Sequence, residues 1–151
     1  MRKPHQILAF PFILENGEYY FGIFLRSGRK DTWQGIAGGV EDGETYLDAC
    51  KREAYEEAGI TDFSNVIELE SICTIPISNV TKEMLWGDDN ILIYEHCFGI
   101  ECKTRKIVLS DEHSDFEWLK YEDTIKRLKW DSNKNALWKL HYRLINKKGE
   151  I

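Results

Sequence analysis

No apolar run in the 151-residue chain approaches the ~20 residues of a membrane-spanning helix, and the longest, such as residues 7–14, are strand-sized. The basic start Met1-Arg2-Lys3 leads straight into strand-like sequence without a small-residue cleavage site, so no signal peptide and a cytoplasmic location are expected. Cysteine is sparse. Cys50, Cys73, Cys97 and Cys102 form no C-x-x-C pair and sit in apolar stretches, which favours buried reduced thiols over a disulfide framework or a metal site. Positive charge is in deficit, 20 Lys plus Arg standing against 26 Asp plus Glu for a net charge of −6. That balance argues against a broad basic face for long nucleic acid, so a polyanionic small molecule would need cations supplied locally. Repeats, low-complexity tracts and linkers are missing too, and residues 1–151 are expected to form one domain.

What is present, 42% hydrophobic beside 30% charged residues, suffices for a real core. Residues 5–14 and 19–26, rich in β-branched and aromatic side chains, flank Asn16-Gly17, a strong hairpin signal. Residues 33–40 carry Gly35, Gly38 and Gly39 in an otherwise strand-like stretch, which suggests a backbone approached closely by something else. Residues 45–58 hold neither Gly nor Pro; Thr45 suits an N-cap and Gly59 a left-handed C-terminus, so this segment is predicted to be helical. Strands are expected at 66–77 and 91–102, with short ones at 107–109 and 116–119 around the acidic loop Ser110-Asp111-Glu112-His113. Helices are expected at 121–128 and 132–145, followed by a fraying tail at 147–150. The irregular interleaving favours an α/β domain with a mixed sheet.

The predicted helix at 45–58 concentrates acidic residues. Taking Arg52 as zero and a turn of ~100° per residue, Glu56 falls near ~40°, Glu53 near ~100° and Glu57 near ~140°. Leu47, Cys50, Ala54 and Ala58 fall between ~160° and ~240°, so a carboxylate face adjoins a core face. Three like charges within a turn and a half repel one another. A hard divalent cation such as Mg²⁺ relieves that repulsion and brings positive charge to a phosphate substrate. The competing reading is a solvated face with Arg52 paired to Glu56 at i,i+4.

The whole segment decides between the two. It reads Gly38-x5-Glu44-x7-Arg52-Glu53-Ala54-x-Glu56-Glu57-x-Gly59-Ile60 and resembles the box of the Nudix hydrolases, G-x5-E-x7-R-E-U-x-E-E-x-G-U with U a bulky apolar residue. Ala54 departs from it in being smaller than usual, which removes no ligand. The resemblance implies the Nudix fold, a mixed β-sheet sandwiched between helices (α/β/α), and hydrolysis of a phosphoanhydride bond with Mg²⁺ or Mn²⁺. It implies Glu53 and Glu57 as metal ligands, Glu56 beside them, the backbone carbonyl of Ala37, and Glu112 as an added carboxylate with Asp111 its competitor. The cations would lower the pKa of the attacking water, and Glu53 or Glu112 would accept its proton. Gly38, Glu44, Arg52 and Gly59 would be structural, an Arg52–Glu44 ion pair holding loop to helix and orienting Glu53.

Beyond the box, residues 33–45, the Glu112-His113 loop, residues 116–119 and Trp130 with Ser132-Asn133 are similar to the bacterial enzymes that remove pyrophosphate from dihydroneopterin triphosphate or dATP. That similarity implies a nucleoside or pteridine triphosphate substrate, with Arg26, Ala37 and Ser132 touching it and Arg2 a weaker candidate. Ser132 serves equally well as the N-cap of the last helix. Trp86 is expected near the base, whereas Trp33, Trp118, Trp130 and Trp138 are expected in the core, and His96 and His113 as satisfied polar residues. Trp33-Gln34 also occurs in RNA 5′-pyrophosphohydrolases, which keeps an RNA end or a dinucleoside polyphosphate open as substrate. A non-catalytic nucleotide sensor is disfavoured, because the box carboxylates are all in place. A homodimer is compatible with the sequence, though nothing in it marks an interface.

Overall fold

The computed structural model describes residues 4–76 and 92–146; Arg2, Trp86, the side chain of Cys73, the expected strand ends at 77 and 91, and the tail at 147–150 lie outside what it describes. Two long strands, β1 (His5–Glu15) and β2 (Glu18–Arg26), form the expected hairpin, with Asn16 at φ 51° and Gly17 at φ 80° as its left-handed turn. They pair only through their hairpin ends, from Phe12↔Phe21 to Glu15↔Glu18. Further along they part, and the gap takes the next segment: β3 (Trp33–Gln34) bonds to β2 and β4 (Ile36–Gly39) to β1. Gly35 is the joint, where an added Cβ would meet the Ala9 carbonyl at 2.9 Å.

Helix α1 (Tyr46–Ala58) starts at Thr45, whose hydroxyl accepts from the Asp48 amide at 3.0 Å, and ends at Gly59 with φ 66°. Strands β5 (Phe63–Pro76) and β6 (Leu92–Cys102) then pair antiparallel, and β6 runs parallel to β1. Strand β7 (His113–Lys120) closes the other side against β2 and is followed by α2 (Tyr121–Arg127) and α3 (Asp131–Ile145). The result is a seven-stranded mixed sheet within an α/β fold.

One face packs Ile7, Ala9, Phe24, Ile36, Phe98 and Ile100 against the small residues Ala49, Cys50, Ala54 and Ala58 of α1. The opposite face packs Leu8, Phe10, Phe21 and Ile23 against Ala136, Leu137, Leu140 and Leu144 of α3. Strand alternation makes this division: odd positions of β1 face α1 and even ones face α3. Cys50, Cys97 and Cys102 are buried, as expected.

Four expectations need correction. Residues 107–109 form no strand; Val108 and Ser110 instead donate their amides to the carbonyls of Ala58 and Glu57 at 2.9 and 3.3 Å, closing the open C-terminal end of α1. Leu47 is 39% exposed, and its neighbour Tyr46 packs on the core instead. Trp138 is 52% exposed on the outer face of α3, stacked on Tyr142. Ser132 does not cap α3, since Trp130 holds the N-cap position without a side-chain bond and Ser132 lies inside the first turn.

Candidate active site

The helix periodicity of α1 puts Glu53 and Glu57 one turn apart at the rim of its core face, and both are buried, 6% and 4% exposed. Glu56, rotated outward, is exposed. Residue 38 faces Glu53 from β4: a Cβ there would overlap the Glu53 carboxyl, so glycine alone fits. Ala37, the residue before Gly38 in β4, packs its side chain with the cluster on the α3 side of the sheet.

Arg52 ties the corner together. Its Nε donates to Glu44 Oε2 at 2.6 Å and its Nη2 to Glu44 Oε1 at 3.0 Å, a bidentate pair. Nη2 also donates to the Gly39 carbonyl at 2.9 Å, while Nη1 reaches Glu53 Oε2 at 3.0 Å and Glu56 Oε1 at 3.2 Å. The bond from Glu44, above all, holds the guanidinium charged well above its ordinary range. Loop, strand and helix thus meet at one side chain, and Glu53 is aimed by its neighbour.

Glu112 arrives from the loop before β7. Its carbonyl accepts from the Ser27 amide at 2.9 Å, and the Arg26↔His113 register holds the loop beside the end of β2. Arg26 therefore stands next to the acidic loop, and Glu112 reaches the Glu57 carboxyl. Asp111 offers its carbonyl to the Ser27 hydroxyl at 2.8 Å.

Burial pushes the Glu57 carboxyl up to about 10, with the adjoining Glu53 and then Glu112 adding to the effect. Burial also raises Glu53, although hydrogen bonding from Glu57 and the charge of Arg52 pull it back. The Oε1 atom of Glu57 is buried without a hydrogen-bond partner. Two buried carboxylates, one with an orphaned oxygen, joined by the exposed Glu112, make a donor set for a hard divalent cation, so Glu53, Glu57 and Glu112 fit Mg²⁺ or Mn²⁺. As the side chains stand, no three His, Cys, Asp or Glu among the described residues form a group that holds a metal ion.

Three groups escaped the sequence reading, one at this corner and two on the opposite face of the sheet. His113 is not a satisfied bystander: its Nε2 lies 3.9 Å from Glu57 Oε1 and its Nδ1 has no partner. Burial lowers its pKa, so it faces the carboxylates as a neutral ring. Only the pairing of β7 with β2 reveals this. On the α3 side of the sheet, Gln6 of β1 and Glu95 of β6 are buried and joined, Gln6 Nε2 donating to Glu95 Oε2 at 2.6 Å. The available signal was an acid alternating with Ile93 and Cys97 in a strand. Ser132 turns its hydroxyl towards the same carboxyl, away from the Glu53–Glu57 corner on the other face. His96, by contrast, is satisfied, bonded to His5 at 3.1 Å and stacked on Tyr46.

The profile of the NUDIX domain matches residues 7–139. The nucleoside triphosphatase NudI of Escherichia fergusonii is 30% identical over 123 residues, 75% of this chain and 80% of that protein. Among solved structures, a protein of Listeria monocytogenes described as a NUDIX hydrolase superposes with a TM-score of 0.83 at 36% identity, covering 96% of this chain and 97% of the other. The dihydroneopterin triphosphate pyrophosphohydrolase of E. coli shares the fold at a TM-score of 0.72 and 23% identity, over 90% of this chain and 93% of its own. With its box carboxylates gathered at one corner and the family profile spanning most of its length, the chain belongs to the NUDIX hydrolases.

Proposed function

We propose that this protein is a Mg²⁺-dependent pyrophosphohydrolase that converts a nucleoside triphosphate, or the triphosphate of a pteridine, to the monophosphate and pyrophosphate. The observation that carries the reading is the convergence of Glu53, Glu57 and Glu112 with an unpartnered buried oxygen on Glu57. The triphosphatase activity in the name of the 30% identical relative supports a triphosphate over other phosphoanhydrides.

Glu53, Glu57 and Glu112, with Glu56 at the outer edge and the Ala37 carbonyl of β4, would hold the cation. When bound, it supplies charge neutralisation for the polyphosphate and a lowered pKa for the attacking water. The chain's own residues do the rest. Arg52 fixes the Glu53 rotamer through a 3.0 Å bond, so the carboxyl need not reorganise during the reaction. A carboxylate oxygen of Glu53 or Glu112 accepts the proton of the attacking water. Arg26, beside the acidic loop, binds a phosphate oxygen and offsets the charge left on the pyrophosphate leaving group. No long nucleic acid is required.

The test is phosphate release with and without added inorganic pyrophosphatase, across dATP, the other triphosphates, dihydroneopterin triphosphate, ADP-ribose and a dinucleoside polyphosphate, with Mg²⁺ present. Signal from triphosphates that requires the pyrophosphatase supports the proposal. Inert triphosphates beside cleavage of the dinucleoside polyphosphate would overturn it.

A further inference from the structure

Glu53 is held by a donor from its own helix, the Arg52 guanidinium at 3.0 Å. Glu57 has no such bond on Oε1, which is buried and finds no hydrogen-bond partner among the described residues. The Glu53 and Glu112 carboxyls beside it repel it once charged. A carboxylate that is to ligate a cation needs a donor of its own to set its direction, as the ligands of metal sites are themselves hydrogen-bonded.

His113 stands where that donor is needed. Its Nε2 lies 3.9 Å from Glu57 Oε1, and the two side chains are nearly sealed from solvent, 1% and 6% exposed. The loop that carries the ring is tied to Glu57 itself. The Ser110 amide donates to the Glu57 carbonyl at 3.3 Å, the His113 amide donates to the Ser110 carbonyl at 3.3 Å, and the ring then returns to the Glu57 carboxyl. The ring also packs on Phe24, with centroids 5.3 Å apart, and the Arg26↔His113 pairing fixes where β7 begins. As a neutral imidazole it carries one N–H and one bare nitrogen. A carboxylate opposite Nε2 draws the proton to that nitrogen and leaves Nδ1, which has no partner among the described residues, as the bare one.

We infer that His113 is the positioning residue for Glu57, its Nε2–H bonding to Oε1 and setting the direction in which that carboxyl meets the cation. The 3.9 Å separation is about 1 Å beyond a hydrogen bond, a distance that one side-chain adjustment covers. A carboxylate oxygen offers two lone-pair directions, so Oε1 can accept from Nε2 along one and ligate along the other. Glu53 and Glu57 are then aimed by different elements, the first by α1 through Arg52 and the second by the loop that also brings in Glu112. The inference rests on the cation site proposed above and assigns a residue that supports it without touching metal or substrate.

Equilibrium binding of Mn²⁺ alone, read from the paramagnetic resonance signal of the free ion with no nucleotide present, tests this apart from turnover. His113→Leu keeps an apolar side chain against Phe24 and removes the N–H, and its Mn²⁺ dissociation constant should rise roughly tenfold or more. His113→Gln carries an amide nitrogen the same number of bonds from Cβ as Nε2 and should recover most of that loss. His113→Asn, whose amide reaches only as far as Nδ1, should not. Melting without metal shows whether each variant is folded; if His113→Leu is not, the contrast between His113→Gln and His113→Asn decides alone. A ring that merely fills space predicts the reverse order, with His113→Leu binding Mn²⁺ like the parent and both amides impaired. That order, or His113→Asn restoring affinity as well as His113→Gln does, would sink the inference and leave the cation site standing. A parent protein that binds no Mn²⁺ would remove the site and its positioning residue together.

Discussion

Gly38 lies so close against the Glu53 carboxyl that even one added carbon at position 38 would occupy the carboxyl's place. Glycine is required here by proximity, not by backbone conformation. Gly38→Ala should therefore displace Glu53, with kcat falling ~10²-fold or more. The same variant should melt below the parent, because overpacking a tight contact costs ~1–3 kcal/mol. An alanine variant with parental turnover would show that Glu53 works from another position.

Glu57 sets stability and function against each other. Its folded-state carboxyl is raised to about 10, above an ordinary value of ~4.3, so the metal-free fold binds a proton that the unfolded chain releases. Stability from this group is complete below the ordinary value and is lost as pH climbs towards the raised one. Glu57→Gln removes the titration. The metal-free variant should melt above the metal-free parent at pH 8 and converge with it near pH 4, while turnover falls ~10²-fold or more. Melting curves at the two pH values, with and without Mg²⁺, check this. A variant that melts below the parent at pH 8 would mean that the carboxylates do not repel one another in the fold.

The elements were legible in the sequence where local chemistry decides them. Asn16-Gly17, Thr45 and Gly59 mark a turn, a cap and a left-handed end through their own conformational preferences, and the structure uses all three that way. The carboxylates of α1 were legible because helix geometry fixes angles within one segment. What escaped reading depends on pairing between distant segments. The strand-like residues 107–109 serve instead to close α1, and His113 joins the corner only because β7 lies against β2. Ser132 was readable as a substrate contact or a cap; only tertiary packing shows it turned towards Glu95.

Arg52 makes its contacts with a planar fork that an ammonium lacks. Arg52→Lys keeps the charge but cannot bond both Glu44 oxygens, the Gly39 carbonyl and Glu53 together. A loss of about 1–3 kcal/mol in urea unfolding is expected from the lost charged hydrogen bonds. The effect on catalysis should be in kcat more than in KM, since Glu53 would be less well aimed while Arg26, the proposed phosphate contact, is unchanged. A variant raised in KM alone would place Arg52 on the substrate instead.

Asn133 joins the last helix to the strand segment that carries the box glycines. Its Oδ1 accepts from the buried Gly35 amide at 2.8 Å, at the point where β3 passes into β4 between the parting strands of the hairpin. A buried backbone N–H deprived of its partner costs ~1–3 kcal/mol, so Asn133→Ala should be destabilised by about that much. Asn133→Asp keeps an acceptor at the same distance and should recover part of the loss. Hydrogen exchange separates this latch from general loosening: the Gly35 amide should exchange faster in Asn133→Ala by a larger factor than the amides of α1. Uniform acceleration across both would mean that the Gly35 bond is incidental to how α3 docks.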